Sequence, residues 1–284
     1  MAQTQKPKGK VVLITGANTG IGRVTAIKLA MQGYHVFLAC RDFAKTQVVL
    51  DEIKLLSQGA AQAEFLPLDL GDLHSVNACA DAFLAKGLPL HVLINNAGLA
   101  GVKGFTQSGF ELAFGVCHVG HFLLTQRLLP VLQQSAPSRI VNVSSRAHLR
   151  TKGIDFEAVQ KPTATTTAVP EYCVAKLANL LFTKELARRL KGTGVSAYAL
   201  HPGVVATDVW RALPGFVRSV VNLFMISPEE GAATTLHCAT AHMTEDDNGQ
   251  YFVKCKQAKY SPCGDDLEMA HTLWVKSEQW VKAS

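Results

Sequence analysis

The chain has 284 residues and no uninterrupted apolar run of 18, so a membrane-spanning helix is not expected. The residues that follow Met1, AQTQKPKG, lack the apolar stretch of a secretory leader. A soluble, unprocessed protein is expected. There is no C-x-x-C pair and no metal-ligand spacing among the seven cysteines (40, 79, 117, 173, 238, 255 and 263). An odd, scattered set suits reduced, mostly buried thiols and predicts a reducing, cytoplasmic compartment. Internal repeats, low-complexity tracts and Pro/Gly/Ser-rich linkers are also missing, so one domain is expected over residues 10–284, behind a flexible tail of residues 1–9. The formal charge of +6 is spread through the chain, with Lys6, Lys8 and Lys10 its only short basic cluster. With no recognisable nucleic-acid motif, binding to DNA or RNA is not expected.

What is present is a hydrophobic fraction of 48%, enough for a substantial core. Short apolar or β-branched runs (KVVLIT, YHVFLA, AEFLPLD, HVLINN, RIVNVSS, VSAYALHP and GQYFV) alternate with helical patterns. The helices are expected near 19–31, 42–57, 72–85, 109–134, 171–190 and 227–242. Such alternation predicts an α/β fold, a doubly wound Rossmann-type domain with a parallel sheet of about seven strands. SPEE carries a helix start, with Ser227 as N-cap, Pro228 at the first position and Glu230 closing a capping box.

KVVLITGANTGIGRVTAIKLAMQG reads as strand, glycine-rich turn and helix, the order that presents backbone N–H groups and a helix N-terminus to a pyrophosphate. Gly16, Gly20 and Gly22, with Asn18, Thr19 and Ile21 between them, are its candidate phosphate contacts. Their G-x-x-x-G-x-G spacing differs from the usual dinucleotide fingerprint, and a plain loop is the alternative. The next strand ends LACRD. Where an NAD enzyme usually places an acid for the ribose 2′-hydroxyl, this chain has Cys40 and Arg41, and a guanidinium there can pair with a 2′-phosphate. NADP(H) is therefore the expected cofactor; the alternative is a solvated surface arginine. Asp42 reads as the N-cap of the following helix.

In YCVAKLANLLFTKEL, Tyr172 and Lys176 are four residues apart and share a helix face. A neighbouring ammonium favours the phenolate and lowers a tyrosine pKa towards neutrality. The same spacing also fits a tyrosine at a core edge and a lysine reaching back to water.

TGANTGIG, NNAG (Asn95 to Gly98), NVSS (Asn142 to Ser145), YCVAK and HPG (His201 to Gly203) occur in the order seen in short-chain dehydrogenases/reductases, and the chain resembles that family over nearly its whole length. Within it, ACRD, GHFLLT and YCVAKLANLLFTKELARRL are similar to the retinol dehydrogenase branch. The resemblance implies Tyr172 as the acid in carbonyl reduction and Ser145 as the group that holds the substrate oxygen. It implies Lys176 as the residue that depresses the tyrosine pKa and binds the nicotinamide ribose. Asp69 would touch the adenine, Asn95 and Gly98 would border the adenosine end, and Thr207 would approach the carboxamide. Leu70, Asn96, Ala97, Pro202, Gly203 and Val205 complete the implied cofactor contacts.

The family often has an asparagine in the central helix, and here Cys117 stands in its place. A thiol is a weaker donor and acceptor than a carboxamide, which implies an intact hydride site with a weakened proton relay. A buried thiol suits Cys117 better than a nucleophile, because a histidine one residue away on a helix points elsewhere. His118 and His121 read as core residues or as supports just behind the site, not as metal ligands, because no third ligand stands at a suitable spacing.

Residues 204–226, VVATDVWRALPGFVRSVVNLFMI, are apolar and occupy the family's lid position. They can cover a lipophilic substrate, pack in a core or dimer, or rest on a membrane surface. The expected function is NADP(H)-dependent interconversion of an apolar alcohol with its aldehyde or ketone, retinoid-like or otherwise lipophilic. The alternative is a catalytically impaired nucleotide-binding redox sensor or binding protein. Homo-oligomerisation stays open.

Overall fold

The computed structural model describes residues 9–203 and 227–282. The expected lid, with Val205 and Thr207, lies outside these residues, as does most of the basic tail.

Seven strands run parallel: β1 (Val11–Thr15), β2 (His35–Cys40), β3 (Ala63–Pro67), β4 (Val92–Asn95), β5 (Ser138–Val143), β6 (Val195–His201) and β7 (Tyr251–Val253). A two-residue strand, β8 (Lys256–Gln257), adds antiparallel to β7, so the sheet has eight strands in the order β3-β2-β1-β4-β5-β6-β7-β8. Its turn uses Lys254 and Cys255 at positive φ instead of glycine, which removes the usual hairpin cue.

Alternate residues of β1 feed two cores. Val11 and Leu13 pack against α3 (Leu73–Leu84), α5 (Gly120–Gln134), α6 (Val169–Arg189) and α8 (Leu267–Lys282). Val12 and Ile14 pack against α1 (Gly20–Met31), α2 (Phe43–Leu56) and α7 (Pro228–Thr240). Helices cover both faces, so β1, β2 and β4 are buried along their whole length, as the continuous runs in the sequence predict, while the edge strand β3 is only partly buried. The strand order reverses between β1 and β4, and at the carboxyl ends of the strands a cleft of about 960 Å³ opens there.

The Ser227 capping box forms as expected: its Oγ accepts from Glu230 N, and Glu230 Oε2 accepts from Ser227 N, both at 3.1 Å. The helix expected over 109–134 is interrupted. A short α4 (Leu112–Phe114) runs into a π-turn, Gly115–Val119, before α5 begins. Helix α8 was not anticipated. It is tied to α6 by Arg189, whose Nε donates to Glu185 and whose guanidinium lies 4.3 Å from the Trp274 ring centroid. Among the described residues no helix is long and apolar enough to cross a membrane.

Candidate active site

The glycine loop leaves β1 at Thr15 and turns through Gly16, whose φ of +64° is left-handed backbone that suits glycine. Thr19 caps α1 with backbone only, so no side chain satisfies the first N–H groups of that helix, which begins in the cleft wall. Gly16, Asn18, Thr19, Gly20, Ile21 and Gly22 all line the cleft. Gly22 has a further, internal reason to be glycine. A Cβ there would lie 2.2 Å from the Gly16 carbonyl oxygen and 2.5 Å from Asn96 Nδ2, so the residue is required by packing inside the loop as well as by phosphate approach.

Cys40 is buried, and its Sγ accepts a hydrogen bond from Ala17 N at 3.1 Å, bracing the loop from the end of β2. Arg41 follows, exposed at the cleft edge, with Nη1 3.9 Å from Asp69 Oδ2. Lys45 joins it on the wall, and Asp42 Oδ1 accepts from Lys45 N as the N-cap of α2. Asp69 Oδ1 accepts from Gly71 N, which folds the loop after β3 so that Asp69 and Leu70 border the cleft.

Asn96, Ala97 and Gly98 lie on the wall, but Asn95 does not. Asn95 is buried, and its Nδ2 donates to Asn142 Oδ1 at 2.8 Å and to Thr125 Oγ1 at 3.1 Å. Strand pleating points it into the protein, which corrects its expected place at the adenosine end. Asn96 Nδ2 instead donates back to the Thr15 carbonyl at 2.8 Å. Pro202 and Gly203 reach the cleft from the end of β6.

The catalytic candidates arrive from two elements. Ser145 follows β5 and caps the 3₁₀ turn Arg146–Arg150, its Oγ accepting from Ala147 N at 3.1 Å. Ser144, its neighbour, is buried and donates to the Lys176 carbonyl at 2.7 Å, docking α6 onto the strand end. Tyr172 and Lys176 stand on the first turns of α6, and Lys176 Nζ lies 5.6 Å from the Tyr172 ring centroid. The buried Lys176 ammonium donates to the Val143 carbonyl at 2.8 Å, and Asn179 Nδ2 donates to the same oxygen at 3.2 Å.

Tyr172 titrates above its ordinary value. Burial is the main cause; the Lys176 ammonium and the Ser145 hydroxyl pull the other way without winning. The lysine thus acts in the expected direction, but the net depression expected from the sequence is not found. Cys117 lies at the π-turn, fully buried. A Cβ added at Gly98 would be 3.3 Å from both Cys117 Sγ and Lys176 Nζ, so the thiol and the ammonium face each other across this glycine. No histidine activates the thiol: His118 Nε2 is paired with Ser277 Oγ, and His121 Nδ1 with the Cys117 carbonyl.

Glycine loop, tyrosine, lysine and serine therefore meet in one cleft of a doubly wound sheet. A sequence model of the family described as short chain dehydrogenase matches residues 10–215. The chain belongs to the short-chain dehydrogenase/reductase family. Human retinol dehydrogenase 12 is 46% identical over 269 residues, which cover 94% of this chain and 84% of that protein. Among solved structures, an uncharacterized protein from Mycobacterium paratuberculosis is 34% identical with a TM-score of 0.78, covering 98% of this chain and 95% of its own. NADPH-bound carbonyl reductase from chicken fatty liver is 26% identical with a TM-score of 0.66, over 88% of this chain and 99% of its own.

The family's dinucleotide fits the residues present. The uncapped start of α1 and the Gly16 turn suit a pyrophosphate, and Gly98 keeps open the space beside Lys176 that a Cβ would fill. The roles of three residues were not legible in the sequence, where His121 reads only as a core or supporting residue, His201 only as part of HPG, and Thr15 only as a strand residue. Thr15 Oγ1 accepts from both Asn96 N and Ala97 N at 3.0 Å, locking the glycine loop to NNAG. His121 supports Thr15, and His201, at the cleft end of β6, is buried with its pKa lowered to about 4 by burial and by the Arg146 charge. A threonine or histidine inside an apolar run gives no local sign of a partner some 80 to 106 residues away.

Proposed function

We propose that the protein is an NADP(H)-dependent oxidoreductase that interconverts an apolar alcohol with its aldehyde or ketone, retinoid-like or otherwise lipophilic. The observation that carries this reading is the convergence of Ser145, Tyr172 and Lys176 on the cleft that also holds the glycine loop. When bound, the nicotinamide supplies or accepts the hydride. The protein's own part is to hold the substrate oxygen with Ser145 Oγ and to give or take its proton at Tyr172 Oη. Raised by burial, Tyr172 keeps its proton at neutral pH, which favours its service as an acid in the reducing direction. Lys176, fixed by the Val143 carbonyl, places a positive charge beside the phenolate formed when that proton leaves.

Arg41, just after β2, and Lys45, in the first turn of α2, support the phosphorylated cofactor, while the nearby Asp42 is engaged by the start of α2. The NADPH bound to the chicken carbonyl reductase is in line with this choice. Retinol dehydrogenase 12 and that carbonyl reductase together favour a lipophilic carbonyl substrate. The retained trio favours an enzyme over a sensor. A cytoplasmic location is part of the proposal, supported by five buried free thiols that suit a reducing compartment.

Nicotinamide absorbance tests the reading. Purified protein is given NADPH or NADH with retinal, medium-chain aldehydes and aromatic ketones, and Tyr172→Phe is the control. NADPH oxidation that falls by about a hundredfold or more in the variant is expected; no turnover with any carbonyl, despite NADPH binding, sinks it.

A further inference from the structure

The cleft wall is electrically uneven. Its three carboxylates, Asp42, Asp69 and Asp72, all lie on the loops after β2 and β3, at the end where Arg41 and the glycine loop stand. Beyond Ser145 and Tyr172 the wall has no carboxylate among the described residues, and it carries two guanidiniums, Arg146 and Arg150. Both are exposed, and neither guanidinium has an ion pair or hydrogen bond among the described residues.

Their position is set by the fold. They are the first and last residues of the 3₁₀ turn that Ser145 caps, and the turn is clamped by the fully buried His148 between them. His148 Nδ1 donates to the Ser145 carbonyl, and its Nε2 accepts from Ser261 N at 3.1 Å. The charge of Arg146 is felt at His201 and Tyr251, that of Arg150 at Cys173 in the first turn of α6. Both arginines line the cleft that Ser145 and Tyr172 also line. The same cleft is also lined by the apolar Val102, Phe105, Leu112, Val116 and Val169.

A cleft lined by apolar side chains and by two guanidiniums without a partner among the described residues suits an amphiphile better than a pure hydrocarbon. A wholly apolar ligand would strip water from the guanidiniums and return no hydrogen bond, whereas a carboxylate matches their planar donors. We infer that the substrate is an apolar carbonyl compound that also bears a carboxylate, paired with Arg146 and Arg150 while its carbonyl oxygen reaches Ser145 and Tyr172. The inference deepens the proposed function and rests on it for the carbonyl, but not for the anion.

The test compares an ω-oxo fatty acid with its own methyl ester, which differ in charge and share the aldehyde. Calorimetric binding to protein loaded with the oxidised cofactor, in which no reduction can run, is measured beside turnover with NADPH. Tighter binding of the acid by about fivefold is expected, the scale of exposed ion pairs. The preference should shrink with added salt in the unaltered protein and vanish in the Arg146→Gln/Arg150→Gln double variant, with cofactor affinity unchanged. Equal binding of acid and ester, a salt-independent difference, or a double variant that weakens only the cofactor would each overturn the inference. If the charge preference holds but neither aldehyde is reduced, the anion site stands and the carbonyl-reduction reading fails.

Discussion

His121 holds the cofactor loop through Thr15: its Nε2 lies 2.8 Å from Thr15 Oγ1, while its Nδ1 lies 3.0 Å from the Cys117 carbonyl. A carbonyl can only accept, so Nδ1 carries the proton and Nε2 accepts from the threonine hydroxyl. That hydroxyl in turn accepts from Asn96 N and Ala97 N. The arrangement requires a neutral ring. Burial supplies it, holding His121 at about 4 and His118, next to it on the helix, at about 3.

The sign for stability follows. Both rings are neutral in the folded chain and take up a proton near the ordinary value of 6.5 when unfolded. Their contribution is fully present above about pH 6.5 and is lost as pH falls from there through about 4 for His121 and about 3 for His118. Denaturant melts at stepped pH should show stability declining over that window, and His118→Phe should flatten the decline. An unchanged slope in that variant would refute the assignment.

Gly22→Ala should damage loop and fold together. The added Cβ would meet the Gly16 carbonyl at 2.2 Å, and backbone on both sides has little room to yield. A loss of about 1–3 kcal/mol is expected in chemical denaturation. Nucleotide affinity should fall by more than the stability change alone explains, because Gly16 itself would be displaced.

Cys117→Asn tests the proton relay. The thiol faces Lys176 Nζ across Gly98, and a carboxamide there offers hydrogen bonds that sulfur makes poorly. Turnover should rise by severalfold, with the gain varying with pH if proton delivery limits the rate. The hypothesis of a weakened relay is wrong if the variant matches the parent at every pH, provided melting shows that the larger side chain has not disturbed the π-turn.

Arg41→Ala should reduce kcat/KM for NADPH by about tenfold, the scale of one charged hydrogen bond, and leave that for NADH nearly unchanged. Loss of both in equal proportion would make Arg41 a structural residue of the cleft edge.

Much of the architecture is legible in the sequence because its cues are local. Continuous apolar runs mark strands covered on both sides, SPEE marks the start of α7, and the glycines mark the turn after β1. The order of the motifs also points to Ser145, Tyr172 and Lys176 as one group, and the three line one cleft. Tertiary structure decided the rest, because those properties depend on partners distant in the chain. It placed Asn95 in the sheet interior and Asn96 at the cleft, and it made Gly22 a contact with Gly16 and Asn96. Burial, which no spacing reveals, reversed the net shift of Tyr172 and kept His121 neutral. The arginines of the 3₁₀ turn are likewise plain residues in sequence; the fold alone sets them on the cleft wall that Tyr172 shares.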